Sequence, residues 1–173
     1  MNHQSNTQFG DIQLLAAEDL TGKEGYLVTV DSDGQAALPA AVTDLALYLV
    51  LEGAAAGAPV GLRPLAHGQQ ARVELQGTIT AGTRVRLATP DGTADGKALA
   101  LGSTAGTYFS PGVALEAGSD GQLLLIQPDP RLVTVASAAI ADPTGGTTTD
   151  AEARTAIASL IAALETAGLI ATE

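Results

Sequence analysis

From Tyr26 onward the chain is written in short apolar segments punctuated by turn letters. The segments are YLVTV, LYLVL, APVGLRPL, ARVEL, TRVRLA, KALAL, GVALEA and QLLLIQP, and between them stand DSDG, EGAAAG, TAGT, TPDGTADG and GSDG. Val73 with Leu75, and Val85 with Leu87, alternate with charged neighbours, the period of a half-buried strand. LYLVL and LLLI are unbroken, as in central strands covered on both faces. The tetrapeptide SDGQ occurs twice, at Ser32–Gln35 and Ser119–Gln122, each time between apolar runs. Asp-Gly in that setting marks a hairpin, because glycine takes the positive φ that a tight turn demands. The pattern therefore predicts a mainly β chain, a small antiparallel β-barrel or sandwich over residues 21–132.

The two ends read differently. Residues 1–20 are polar and are expected to form an extended N-terminal arm, whose apolar side chains Phe9, Ile12, Leu14 and Leu15 are its candidate contacts. Residues 133–148, with Pro143, Gly145, Gly146 and a threonine run, have linker composition. Residues 149–170 then read as an amphipathic helix. Thr149 and Glu152 match a capping box, Asp150 suits the positive end of the helix dipole, and Gly168 stands where a left-handed cap is expected. Ile157, Leu160, Ile161 and Leu164 form its apolar stripe. An isolated helix of this kind is marginal in water, so the stripe needs a partner surface: the chain's own β-domain, or further copies of the helix in a homotrimer.

Charge and composition narrow the chemistry. The 173 residues carry 19 acidic and eight basic side chains, a formal net charge of −11. The eight cations are scattered, and Arg84 and Arg86 fall on the solvent face of one strand, so no basic stripe is present for nucleic acid or anionic lipid. The first 13 residues lack the basic and apolar regions of a secretory signal, and the longest apolar run, Leu45–Leu51, is far too short to span a membrane. Without cysteine there is neither a disulfide framework nor a thiolate metal site. The histidines, His3 and His67, have no nucleophile motif around them. Asp31 and Asp33 open like a calcium loop, but the twelfth position is Val42 where glutamate is required. Asp91 and Asp95 read as turn chemistry. No catalytic residue, metal site or cofactor is expected.

Three phrases carry a family resemblance: VDSDGQAAL, TITAGTRVRLATPDG and GVALEAGSDGQLLLI, within about Leu20–Gln127. They resemble the small capsid decoration, or cement, proteins of tailed bacteriophages. That resemblance implies a compact β-domain bound to the outer surface of a phage head, often as a trimer, with the major capsid protein as partner. The threonine-rich stretch and Ala-Leu helix after Asp142 are reminiscent of phage head-fibre proteins. A rival reading, an adhesive module for host glycans, requires Tyr108 and Phe109 to be exposed. Another, a small hydrolase, requires a pocket holding the Asp91-loop carboxylates.

Overall fold

The computed structural model describes residues 10–93, 95–136 and 149–166. Ten strands precede one helix: β1 (Ile12–Leu15), β2 (Leu27–Val30), β3 (Ala36–Ala37), β4 (Tyr48–Glu52), β5 (Pro59–Pro64), β6 (Ala71–Glu74), β7 (Arg84–Leu87), β8 (Ala98–Ala100), β9 (Gly106–Ala114), β10 (Leu123–Val135) and α1 (Thr149–Thr166). Their ladders are antiparallel and make two five-stranded sheets, ordered β1-β5-β4-β2-β3 and β6-β10-β9-β7-β8. The fold is mainly β and sandwich-like, as the pattern predicts, with neither sheet closed into a barrel. The chain divides into two compact units, residues 1–101 with 109–132, and residues 102–108 with 133–173.

The two strand orders are the same order, because β6 to β10 repeat the path of β1 to β5. Hydrogen bonds confirm the match position by position. Ala16 donates to Ala58 O and accepts from Gly57 N–H, just as Leu75 donates to Gln122 O and accepts from Gly121 N–H. Leu27 pairs with Leu49 as Arg84 pairs with Val113, and Val30 with Ala36 as Leu87 with Ala98. A parallel bridge in each repeat, Ala16 to Ala36 and Leu75 to Ala98, brings its last strand back beside the residue after its first. Each sheet thus curls around its own interior.

Burial follows the repeat. Ala16, Leu20, Val28, Ala36, Val50, Val60 and Leu62 fill the first interior. Their counterparts Leu75, Ile79, Val85, Ala98, Ala114, Leu124 and Ile126 fill the second, where they join Leu27, Ala46, Leu49 and Leu65 from the first repeat in one cluster. Burying each large aliphatic side chain contributes about 1.5–3 kcal/mol. The core therefore holds without tryptophan or disulfide, Phe109 being its largest fully buried residue.

Several sequence expectations change. Residues 12–15 are not part of a free arm. They form edge strand β1, with Ile12 and Leu14 half-buried against the first core and Leu15 facing out. Beyond them Ala16 and Leu20 are fully buried. The alternation Ile-Gln-Leu-Leu supplies one apolar face, and β5 supplies its ladder. The β-domain therefore starts before residue 21, and β10 runs to Val135, past the expected start of the linker. Phe9, Gly168 and residues 137–148 lie outside the described residues. Of the two continuous runs, LYLVL behaves as expected, with Leu49 and Val50 both buried within β4 inside the first sheet, whereas LLLI is covered on one face only: Leu124 and Ile126 are buried and Leu123 faces solvent.

The two SDGQ copies are not equivalent. The first closes the β2–β3 hairpin, with Gly34 at φ 77° and Asp31 N–H bonded to Gln35 O at 2.9 Å. Its repeat counterpart is Asp95-Gly96-Lys97, which turns between β7 and β8. The second copy closes β9–β10, where Asp120 accepts a bond from Gly77 N–H at 2.8 Å. Its counterpart in the first repeat is Ala55–Ala58. Identical letters serve two turns for the same local reason, a positive-φ glycine after a short polar residue.

Candidate interaction surfaces

The seam between the repeats holds the best-organised polar group in the molecule. Gly25, at φ 88°, presents its carbonyl to Glu74 N–H at 2.8 Å on the outer edge of β6. Gly96 O likewise accepts from Leu27 N–H at 2.7 Å. Over these bonds Lys97 Nζ meets Glu74 Oε1 at 2.8 Å, both side chains about four-fifths buried. The Tyr26 hydroxyl donates to the same carboxylate at 3.4 Å, and Lys23 and Lys97 lie 5.0 and 5.5 Å from the Tyr26 ring centre. The Glu74 bond raises the Lys97 pKa above its ordinary 10.5, against the opposing effect of burial. Nothing in the letters marks these four residues, although alignment of ADGK with the first SDGQ would have placed Lys97 at a turn.

A second cluster lies on the second repeat. Arg84 reaches Asp129 at 2.9 Å and Ser110 Oγ at 3.2 Å, and Arg131 approaches the same carboxylate at 3.3 Å. The Arg84 bond is the main cause holding the Asp129 carboxyl below its usual range. Arg84 is thus a structural cation, not the freely solvated one its alternation suggested. Arg86 is half-buried, with its guanidinium on Leu87 O.

Two shallow depressions open on the β unit. One of about 290 Å³ is walled by Leu49, Leu51 and Leu123, with Arg63, Arg72 and Glu24 at its polar positions. Both arginines are engaged elsewhere, Arg63 in a two-bond pair with Asp11 and Arg72 with Glu116 at 2.9 Å. The other, about 620 Å³, is lined by Asp11, Gln13, Glu52 and neighbouring backbone. The Asp91 loop closes on itself: Asp95 accepts from the backbone N–H groups of Asp91 and Gly92, and Asp91 from Thr93. His67 is exposed in the loop between β5 and β6. Among the described residues no group of three or more histidine or carboxylate side chains could hold a metal ion.

Among the described residues, the predicted contacts lie on β1 and α1. Leu15 is 48% exposed on β1. On α1, Ile157, Leu160 and Ile161 are exposed by 57, 50 and 44%, while Leu164 is half-buried. No described helix is long and apolar enough to cross a membrane. Tyr108 and Phe109, which a glycan platform would have to expose, are buried, with the Tyr108 hydroxyl on Thr104 O at 3.2 Å.

Among solved structures the chain is similar to the N base of head fiber gp8.5 in bacteriophage phi29. The TM-score is 0.48 at 17% identity, over 69% of this chain and 92% of that one. A likeness of this size says nothing about what the chain does. No protein-family model and no curated protein matches the sequence.

Proposed function

We propose that the protein is a non-enzymatic decoration protein of a tailed-phage head, seated on the outer surface of the shell as a homotrimer and bracing neighbouring major capsid subunits. The observation that carries the reading is GVALEAGSDGQLLLI, the most specific of the phrases that resemble cement proteins, found here as the turn of the β9–β10 hairpin with the strand ends that flank it, in a mainly β unit. The chemistry is in keeping with that role. Asp31, Asp91 and Asp95, carboxylates singled out in the sequence, accept backbone N–H bonds within their own turns. Apolar side chains such as Leu45, Leu115 and Leu132 face solvent at loops and strand ends, where they offer contact area. A net charge of −11 keeps such a protein from binding DNA.

The test is to mix the purified chain with bare phage capsids and image the particles. The expected result is added density at symmetry-related positions on the outer surface. Capsids that stay bare at saturating protein would overturn the proposal.

A further inference from the structure

We infer that copies of this chain join head to tail by repeating, between molecules, the seam that already joins the two repeats within one. Inside the chain the outer edge of β6 is closed when Glu74 N–H bonds to the carbonyl of Gly25, the positive-φ glycine of the turn entering β2. The duplication supplies the same two parts a second time, unpaired with each other. Leu15 stands in β1 where Glu74 stands in β6. Since Ala16 N–H points to Ala58 O just ahead of β5, Leu15 one position earlier points its N–H outward. Gly82, in the turn entering β7, stands where Gly25 does. It has φ 81°, is exposed, and has no atom within 4 Å of where a Cβ would be, whereas at Gly25 that space is taken by Leu123.

The other seam bond, Leu27 N–H to Gly96 O, has no open second copy: its counterpart Arg84 faces Leu101, whose N–H bonds Arg84 O at 2.8 Å, so the contact between copies repeats only the Gly25 half of the seam. A second copy of this chain is therefore the occupant that β1 is shaped for, because it carries the turn that the homologous edge already accepts.

The side chains around the unfilled seam differ in the direction an intermolecular contact needs. Within the chain Glu74 faces Lys97 and Tyr26; at the free seam the corresponding residues are Leu15, Gln35 and Thr83. An ion pair has given way to an exposed leucine and two neutral side chains, so docking desolvates no charge at this point and buries Leu15. The contact joins different surfaces of the two copies, so it extends from copy to copy and stops only when a ring closes. It also covers the outward N–H and C=O groups of β1, which left open would invite indiscriminate strand pairing.

The contact deepens the proposed trimer on a shell, and it rests on that reading only for the expectation that copies associate. It is tested in free solution by sedimentation equilibrium on the full chain. Wild type should be a multimer. Leu15→Lys and Thr83→Glu should each raise the dissociation constant at least about tenfold, the equivalent of ~1.4 kcal/mol, with the melting temperature unchanged. The double variant, which pairs the new charges across the seam, should recover association. A monomeric wild type, or single variants with unaltered mass, overturns the contact. Co-sedimentation with capsids is scored separately: a monomer that binds shells removes the seam and leaves the shell reading standing, and a seam-dependent multimer that ignores shells does the reverse.

Discussion

Gly34 and Gly96 hold the same place in the two repeats and have opposite surroundings. Both sit at positive φ, but a Cβ on Gly96 would come within 2.6 Å of Leu27 O, and one on Gly34 would meet nothing within 4 Å. Gly34→Ala should cost only the left-handed strain, about 1–2 kcal/mol. Gly96→Ala should cost clearly more, because the repeat seam must also part; urea unfolding of the two variants measures the difference. The ion pairs of the fold respond to pH with opposite signs. Lys97 has a raised pKa in the fold, so its pairing with Glu74 stabilises fully below the unfolded value and is lost as pH rises through the folded one. Asp11, Glu116 and Asp129 have lowered values, so their contribution is present above the unfolded carboxylate pKa and disappears as acid takes pH down through the folded one. Lys97→Met should therefore flatten the alkaline limb of the melting-temperature profile and leave the acid limb in place.

Among the elements, β1 best shows where pattern reading stopped short. Its alternation was present in the letters, Ile12 and Leu14 against Gln13 and Leu15, but four residues after a polar opening carry little signal alone. What makes them a strand is β5, which lies some 50 residues away and supplies Leu62 opposite Ile12 and Val60 opposite Leu14. Truncation separates the two views. A free arm predicts an unchanged melting curve when residues 1–18 are removed; because that truncation takes away β1 and Ala16, it should lower the curve steeply. The paired interiors make a second prediction. Leu62→Ala and Ile126→Ala, counterparts that are both fully buried, should each cost about 2–5 kcal/mol in urea unfolding. The hairpins around LYLVL, LLLI and both SDGQ turns were legible because their signals are local; the different neighbours of the two SDGQ turns were not, since Gly77 and Leu75 reach the second one only through the fold.

At the scale of the whole molecule, stability and association rest on different residues. The cores are sealed inside the β unit, while the large apolar side chains left exposed include Leu15, Leu45, Ile157 and Leu160. Leu160→Asp on α1 should reduce oligomer mass in light scattering with little change in the melting of the β unit, because half of that leucine already faces water. An unchanged mass would exclude the helix stripe as an oligomer contact. Raising salt should weaken the exposed Arg63–Asp11 and Arg72–Glu116 pairs more than the seam pair Lys97–Glu74, which is shielded by burial.

By itself the sequence determined the class of fold, the positions of the tight turns, the central strands and the helix, since each depends on residues within a few positions of one another. Only the tertiary structure decided that ten strands are one five-strand path taken twice, that Ala16 answers to Leu75 and Gly34 to Gly96, and that Glu74 and Lys97 meet beside Tyr26. Counterparts in the two repeats share burial and backbone direction more than they share side chains. A curled sheet asks only that the right positions be apolar and the right turns allow positive φ, and many different letters satisfy both.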